Sequence, residues 1–403
     1  MAADVTSIQA ALNETWTEKR IAEQLYQGNP VLQRIKRLNK TEYGEYAQTS
    51  IHTERNWGFT VTGSTSGTLN PAGQQGYAQA KWYYTHQHAQ IKIEGSAIDQ
   101  TAGSALALAS VIDEEVNGAV NDISRQLSRQ LCMNQTGIIA TTQANSAVTD
   151  VKLQVPSGLN ALDRGWLARG AVVNIGVAAN VDSKVAAGVV TATSTTDPAN
   201  PTITFASAQT TSAGDRVALL GSTVDSAAAL EMNGLVNVVS GSDIGGVSVA
   251  TTPDYQSNVD ATSQALSLAL MYNRNRKIAQ KTGKPATFVA TSLKQQQAAY
   301  VLAQANVRYM KESDTPVGHV DAVSINGVDL FAVPDVQDEH MFFLTIEDLL
   351  LVTNGDPYWQ NKVTGGDKLA WIQGTDSYGG KITTRCQLGA RRRNSSSALT
   401  GLT

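Results

Sequence analysis

The chain has 403 residues and a formal net charge of -4, with 42% hydrophobic and 16% charged residues, so it can bury the cores of two or more domains. This balance excludes a protein held to nucleic acid by overall charge, and the two distant cysteines, Cys132 and Cys386, exclude a disulfide scaffold and a cysteine metal motif. No apolar run reaches transmembrane length and the N-terminus does not read as a signal peptide, so we expect a soluble protein that is made in the cytoplasm and has no membrane partner.

Residues 1–40 are predicted to form a helical N-terminal arm in two pieces. The apolar positions of the first helix are Ile8, Leu12, Trp16, Ile21 and Leu25. Gly28 ends that helix, and Asn29 and Pro30 supply the cap and first residue of a second helix over 31–38. Basic residues lie on the second helix and two positions after it: Arg34, Lys36, Arg37 and Lys40. This patch fits either a solvated helix face or a contact with an internal polyanion.

Residues 41–99 change to an extended pattern that predicts a two-stranded β-ribbon. Its two arms, EYAQTSIHTERNWGFTV and AQAKWYYTHQHAQIKIEG, flank the turn-rich stretch GSTSGTLNPAGQQG. Apolar residues alternate along the arms at Trp57, Phe59, Val61, Trp82 and Tyr84. A two-stranded ribbon is marginally stable alone, so we expect it to lie against another subunit.

Residues 100–150 contain the longest predicted helix, over 104–133. Apolar residues recur there at steps of three and four and form one stripe: Ile112, Val116, Ala119, Val120, Ile123, Leu127 and Leu131. Ser104 is a candidate N-cap, and Gly118 is the one interior glycine. Thirty residues give a rod about 45 Å long, well beyond the usual helix length.

Residues 151–225 predict a separate β-rich block, since short apolar runs are broken there by glycine and proline. The spacing suggests a small barrel or sandwich inserted between flanking elements. We expect its core to contain Leu162, Val172, Ile175, Val189, Ile203, Phe205 and Val217.

Residues 226–355 return to a mixed pattern of helices and strands. Leu266 to Gln280 predicts a helix ended by Gly283, and ATFVAT over 286–291 predicts a buried strand. Ser292 is expected to cap a second helix, and VSINGVDLFAVPDV over 323–336 predicts a hairpin with Asn326 and Gly327 in its turn.

Residues 356–403 are predicted to form two strands, KLAWIQG and GGKITTRCQLGARRR, on either side of the polar turn GTDSYGG. The tail NSSSALTGLT is expected to be short and mostly polar. The run Arg391, Arg392 and Arg393 fits either a solvated strand end or a nucleic-acid contact.

The motifs of common catalytic sites are absent from the sequence. There is no phosphate-binding loop, dinucleotide-binding glycine motif, zinc-protease helix or nucleophile elbow, so we predict no catalytic residues and no cofactor. One metal site was considered, because a ribbon paired symmetrically about its turn places His52 opposite His86, with Glu54 and His88 nearby. Polar contacts along an exposed ribbon are the favoured explanation of these residues, so no metal ligand is assigned. Self-crosslinking through Lys81, Lys92, Lys362 and Asn361 was likewise considered, without support from local spacing.

The order of these elements resembles that of the major capsid proteins of tailed bacteriophages, which have the Hong Kong 97-type fold. In that resemblance 1–40 is the N-terminal arm, 41–99 is the extended loop, and helix 104–133 within 100–150 is the spine helix of the peripheral domain. Residues 226–355 look like the axial domain, 356–403 like the second part of the peripheral domain, and 151–225 like an inserted barrel-like domain. Phrases such as FVATSLKQQQAAYVL and VSINGVDLFAVPDV look like segments of actinobacterial phage relatives.

The resemblance implies an α+β subunit that assembles with itself, as hexamers and pentamers, into an icosahedral shell around double-stranded DNA. It further implies a virion location, a portal, a separate scaffolding protein and an optional decoration protein as partners. An encapsulin-type compartment shell shares the fold and stays open as the alternative. A surface or tail adhesin built of β modules is a third interpretation, which the long helix disfavours.

Overall fold

The structure, a computed structural model, describes residues 18–27, 29–39, 44–62, 67–96, 105–155, 160–221, 231–239, 242–306, 323–325, 327–360 and 368–403. Helices and strands both contribute, in agreement with the expected α+β class. The chain forms two compact units, each built from separate stretches of sequence. The first unit comprises Met1–Ala47, Tyr83–Arg129 and Leu351–Gln387; the second comprises Gln48–Trp82, Gln130–Leu350 and Leu388–Thr403.

The N-terminal arm contains two helices and a strand: α1 (Glu18–Gln27), α2 (Pro30–Arg34) and β1 (Lys36–Asn39). Asn29 caps α2, since its Oδ1 accepts a hydrogen bond from the Val31 N–H at 2.8 Å. The prediction of a helix over 31–38 is wrong, because the backbone turns extended at Ile35 and β1 pairs at the edge of a sheet. Ile21 and Leu25 are buried as expected, whereas Ile8, Leu12 and Trp16 lie outside the described residues.

The ribbon is formed by β2 (Tyr46–Glu54) and β3 (Gly76–Tyr83), which pair with each other in a two-stranded sheet. The second predicted arm does not continue as one strand. It breaks at Tyr84, and the following strand, β4 (Thr85–Glu94), pairs in a different sheet. The ribbon is therefore shorter than the sequence suggests.

The long helix, α3 (Ala105–Cys132), agrees with the predicted helix over 104–133. The predicted apolar stripe is buried at Ile112, Val116, Val120, Ile123, Leu127 and Leu131, while Ala119 is half-buried. Gly118 lies on the exposed side, and Ser104 lies outside the described residues. The periodicity of the sequence thus identifies both the helix and its buried face.

Six strands close into a small barrel, in the order β10-β5-β6-β9-β8-β7. Their bounds are β5 (Ile138–Thr142), β6 (Asn145–Gln154), β7 (Val172–Val177), β8 (Asn180–Ser194), β9 (Thr202–Thr211) and β10 (Arg216–Leu219). A barrel is therefore present, but its first two strands begin before residue 151, where we expected the block to start. The sequence gives no local sign of this earlier start. β5 pairs with β6, which follows it directly, and with β10, which comes much later in the chain.

The barrel core contains most of the residues expected there: Leu162, Ile175, Ile203, Phe205 and Val217. Val172 is half-buried. Val189 is 52% exposed, so its assignment to the core is wrong. Its neighbour Val190 is fully buried, and successive side chains on a strand point to opposite faces.

The remaining chain supplies three helices and ten strands to the described structure. The first part comprises α4 (Leu235–Val238), β11 (Asn258–Gln264), α5 (Leu268–Thr282), β12 (Phe288–Thr291), α6 (Leu293–Asn306), β13 (Val323–Ile325), β14 (Val328–Ala332), β15 (Met341–Leu344) and β16 (Leu349–Thr353). The C-terminal part comprises β17 (Tyr358–Trp359), β18 (Ala370–Trp371), β19 (Ser377–Ala390) and β20 (Ser397–Leu402).

These strands form two six-stranded sheets. In the mixed sheet the order is β11-β20-β15-β12-β14-β13, and α5 and α6 contribute to its core through Met271, Ile278 and Ala299. In the other sheet the order is β1-β16-β19-β17, with β4 and β18 also paired to β19.

The helix ends of the mixed sheet follow the expected chemistry. The Ser267 side chain accepts a hydrogen bond from the Leu270 N–H at the start of α5, and Gly283 ends the helix in the left-handed conformation with φ of 79°. The Ser292 hydroxyl accepts a hydrogen bond from the Gln295 N–H at 3.2 Å, as predicted for the cap of α6. The predicted hairpin is present as β13 and β14, with Gly327 at φ of 75°, while Asn326 lies outside the described residues.

The C-terminal tail, which we expected to be short and mostly polar, is part of the mixed sheet. It forms β20, which is buried between β11 and β15, parallel to the first and antiparallel to the second. The polar side chain of Ser397 is fully buried and hydrogen bonds to the Asn258 carbonyl. Satisfying buried polar groups in this way lets a polar sequence occupy the middle of a sheet.

Candidate assembly surface

The base of the ribbon is anchored by a buried tryptophan. Trp82 is 1% exposed, and its Nε1–H donates to the Thr49 Oγ1 at 2.7 Å. The neighbouring Lys81 N–H donates to the Gly245 carbonyl at 2.9 Å. Gly389 lets the indole approach closely, since a Cβ at this position would lie 2.7 Å from the Trp82 ring. These contacts hold the base of the ribbon in place.

Beyond Glu54 the ribbon keeps its two arms together with isolated hydrogen bonds instead of a strand ladder. The Asn70 N–H donates to the Thr60 Oγ1 at 2.8 Å, and the Asn70 Nδ2 donates to the Phe59 carbonyl at 3.1 Å. A Cβ at Gly73 would lie 2.7 Å from the Asn56 Oδ1, so the arms also approach closely there. Residues 63–66 at the tip lie outside the described residues.

The outer part of the ribbon exposes large apolar side chains to solvent. Trp57, Phe59 and Val61 are 81%, 81% and 82% exposed, and Leu69 and Tyr77 are exposed as well. Contiguous exposed apolar groups of this size mark interaction sites in soluble proteins, because leaving them in water is unfavourable. We name Trp57, Phe59 and Val61 the ribbon stripe; its alternation follows the sequence prediction.

A second apolar group lies on the hairpin of β18 and β19. Trp371 is 58% exposed, and its neighbour Ile372 is partly exposed. The turn is closed by the Ile372 N–H, which donates to the Ser377 carbonyl at 2.9 Å, and Gly374 has φ of 85°. The sequence predicted this turn. Trp371 was not named from the sequence, although a tryptophan next to a polar turn could have indicated an exposed apolar residue.

The structure does not bring the ribbon histidines together. His52 contacts the Gln75 side chain, and its ring lies 5.4 Å from that of Tyr77. His86 instead pairs with Arg385, because β4 joins β19 and not the ribbon. The predicted register of His52 opposite His86 is therefore wrong.

His86 and His88 lie among cations on the sheet face. Their ring centroids are 6.2 Å apart, and the His88 Nδ1 lies 3.0 Å from the Thr383 Oγ1. Desolvation lowers the pKa of both imidazoles, and the charges of Lys381 and Arg385 lower the pKa further. Within the described ranges, no three His, Cys, Asp or Glu side chains are grouped as metal ligands.

Cys132 and Cys386 are buried thiols, and burial raises the pKa of Cys386 to about 12, which disfavours a reactive thiolate. Lys81 and Lys92 lie on β3 and β4, whereas Asn361 and Lys362 fall outside the described residues, so the crosslinking idea stays untested. No described helix has the length and apolar character needed to cross a lipid bilayer.

Arg34, Lys36 and Arg37 of the N-terminal arm are exposed but do not share a helix. Arg34 ends α2, and Lys36 and Arg37 lie on β1. The Arg37 guanidinium lies 4.8 Å from the centre of the buried Tyr26 ring. Lys40 lies outside the described residues.

Comparisons with known proteins agree with this architecture. No protein-family model and no curated protein sequence matches the chain. Among solved structures, a chain of the capsid asymmetric unit of cyanophage A-1(L) aligns with 12% identity and a TM-score of 0.54, over 93% of each chain. A chain of Mycobacterium phage Bobi aligns with 11% identity and a TM-score of 0.45 over 99% of each chain. One from the capsid of a native GTA particle has 8% identity and a TM-score of 0.48, over 94% of this chain and 91% of that chain.

The fold likeness rests on the cyanophage structure, because the other two TM-scores lie below 0.5. It extends over 93% of this chain and 93% of that chain. The protein therefore resembles a phage capsid subunit in its fold, as the order of its predicted elements indicated.

Proposed function

We propose that the protein is the major capsid protein of a tailed bacteriophage and assembles into hexamers and pentamers of an icosahedral shell around double-stranded DNA. The observation behind this proposal is the likeness in fold to a chain of a phage capsid over 93% of both chains. In this proposal the protein is a component of the virion and has no catalytic role. A scaffolding protein, a portal and a decoration protein are its expected partners.

The elements acquire roles within this proposal. The ribbon of β2 and β3 acts as the extended loop, and α3 acts as the spine helix of the peripheral domain. The mixed sheet belongs to the axial domain, and the barrel is an insertion into the minimal fold that stabilises neighbours within a capsomer. The ribbon stripe supports this assignment, since Trp57, Phe59 and Val61 need a neighbouring surface to leave water.

Assembly through such surfaces has a simple energetic basis. Each exposed aromatic or branched side chain contributes roughly 1.5–3 kcal/mol when fully buried. Each contact of this size on the ribbon or on the β18–β19 hairpin is weak by itself. The free energies of many such contacts add up over a closed shell. Subunits that join incorrectly can therefore dissociate before the shell is complete.

Electron microscopy of the purified protein, expressed alone and together with its neighbouring genes, tests the proposal. We expect closed polyhedral shells, or sheets and tubes with hexagonal order. Shells that retain protein cargo and exclude DNA indicate the encapsulin-type alternative. A uniform monomer under all conditions contradicts both.

Deletion of the ribbon tip, from Gly63 to Gly76, separates folding from assembly. We expect a folded subunit that forms no closed shells, because the deletion removes exposed chain and leaves Trp82 and its contacts intact. Circular dichroism checks the fold, and electron microscopy checks the shells. Normal particles from this variant contradict the role of the ribbon.

A further inference from the structure

The exposed half of α5 presents cations without acids. The helix sequence LALMYNRNRKIAQKT contains no aspartate or glutamate. Its buried half consists of Met271, Arg274, Asn275 and Ile278. The side chains that occupy the opposite half at helical spacing are Tyr272, Asn273, Arg276, Lys277, Gln280 and Lys281. All six are of the types that donate hydrogen bonds to phosphate oxygens.

More cations gather at the end of the mixed sheet that follows α5. Lys284 comes directly after Gly283 and is exposed. The strand registers place the start of β12 beside the end of β15, and the end of β15 beside the start of β20. Arg391 and Arg392, both exposed, come shortly before β20, and the Arg391 N–H donates to the Asp348 carbonyl at 2.8 Å.

The acids at this end of the sheet are fewer than the cations. Among the described residues they include Asp243, Asp254, Glu347 and Asp348, and Asp260 is paired with the buried Arg274. Within the described parts of the chain, Arg276, Lys277, Lys281 and Lys284 form no ion pair. The chain as a whole has a net charge of -4, so this local excess of positive charge does not follow from its composition. It produces a local positive electrostatic potential.

We propose that this surface, which we name the α5 surface and define by Arg276, Lys277, Lys281, Lys284, Arg391 and Arg392, binds the phosphate backbone of double-stranded DNA. The proposal rests on the proposed function, since it assigns a contact to the packaged genome. Lysine and arginine side chains bind phosphates by charge, without reading the bases, and a shell protein needs contacts that ignore sequence. Tyr272, Asn273 and Gln280 supply further donors next to the cations.

Binding of the unassembled full-length subunit to a 30-base-pair duplex of arbitrary sequence tests this surface. Fluorescence anisotropy measured over a range of NaCl concentrations gives the slope of the logarithm of the binding constant against the logarithm of salt. Each lost phosphate contact lowers the magnitude of this slope by about 0.9. We therefore expect the variant R276Q/K277Q/K281Q/K284Q to lower it by roughly 3.6 and to weaken binding at low salt by at least about tenfold. R391Q/R392Q should lower it by a further amount of about 2.

The matched control is K152Q/R169Q, which neutralises two exposed cations on the barrel. Glutamine has nearly the same helix propensity as arginine and lysine, so the α5 variants are expected to keep the helix, and circular dichroism checks this. The control should bind the duplex with the slope of the wild type.

Two results overturn the proposal. One is a slope that is unchanged in the α5 variants or falls equally in the control. The other is a variant that binds the duplex normally and yet loses shell assembly, because the surface then contacts a protein neighbour. If the slope falls as expected but electron microscopy finds no shells under any condition, the DNA surface stands and the capsid proposal fails.

Discussion

Arg393 differs in its structural role from Arg391 and Arg392, its neighbours in the same basic run. Its side chain is buried, and the guanidinium donates to the carbonyls of Val238 and Ser242 at 2.7 Å each. It also lies 5.6 Å from the centre of the Tyr255 ring. Burial lowers the pKa of Arg393 and raises the pKa of the Tyr255 hydroxyl. The sequence alone treats Arg391, Arg392 and Arg393 alike, because the carbonyls that accept from Arg393 come from a distant segment.

His340 makes the stability of the fold depend on pH. Its ring is largely buried and stacks on Phe342 at 5.8 Å, and burial lowers its pKa from 6.5 to about 4. Between these values the unfolded chain binds the proton and the folded chain does not, so the free energy of unfolding falls as the pH decreases through this range. Above pH 6.5 this residue causes no pH dependence, and by pH 4 the loss reaches roughly 3 kcal/mol.

The variants His340→Phe and His340→Gln test this origin of the pH dependence. Neither side chain titrates, so both should flatten the decrease in the denaturation midpoint between pH 6.5 and 4 relative to the wild type. Phenylalanine keeps the stacking and glutamine keeps a polar group, so together they separate protonation from packing. Wild-type pH dependence in both variants would assign the decrease to other groups.

Gly234 and Gly118 are expected to respond oppositely to the same substitution. A Cβ at Gly234 would lie 1.9 Å from the Met133 carbonyl oxygen, so Gly234→Ala should force the backbone apart and destabilise the protein by about 3 kcal/mol. Gly118 lies within α3 with open space around the new methyl group. Gly118→Ala should therefore stabilise the protein by about 0.5–1 kcal/mol. Chemical denaturation measures the free energy of unfolding of both variants. Destabilisation by Gly118→Ala would contradict the claim that the space around Gly118 is open.

At the scale of elements, the barrel is fixed to the loop between β14 and β15 by one arginine and one tryptophan. The Arg164 guanidinium donates to the carbonyls of Pro334 and Val336 at 2.6 and 2.8 Å and pairs with Asp338 at 3.1 Å. Trp166 donates to the Asp335 Oδ1 at 2.9 Å. Hydrogen bonds from a charged donor are among the stronger polar contacts.

Removing the arginine should loosen this junction and leave the barrel folded. We expect Arg164→Ala to lower the free energy of unfolding by about 2 kcal/mol, because it leaves carbonyl groups without their donor. The barrel core, which does not include Arg164, should persist. Arg169→Ala, at an exposed position close in sequence, is the control and should leave stability unchanged. Equal denaturation midpoints for the two variants would contradict a stabilising role of Arg164 at this junction.

At the scale of the whole molecule, the ribbon is the part that we expect a neighbouring subunit to stabilise. Its base is buried at Ile51, Ala80 and Trp82, while its outer part holds few hydrogen bonds and exposes the ribbon stripe. Segments with exposed backbone and few apolar contacts open readily. We therefore expect amides of residues 55–62 and 67–75 to exchange with deuterium much faster in free subunits than in shells. Equal exchange in the two states would mean that the ribbon makes no contact on assembly.

The sequence by itself determined the features that depend on near neighbours in the chain. The apolar stripe from Ile112 to Leu131 located α3 and its buried face, and Ser267, Gly283 and Ser292 mark helix ends that local hydrogen bonds explain. Alternation and turns indicated the β-rich block, the ribbon and the hairpin of β13 and β14. The order of these elements was enough to suggest the capsid fold.

The tertiary structure decided which distant segments pair. Periodicity shows that a segment is a strand and which of its faces is apolar, but every strand offers the same backbone donors and acceptors to any partner. The pairing of β4 with β19, the closure of the barrel by β5 and the place of β20 in the mixed sheet therefore followed from the packing of the whole chain. For the same reason the positions of His52, His86 and Arg393 could not be derived from their local sequence.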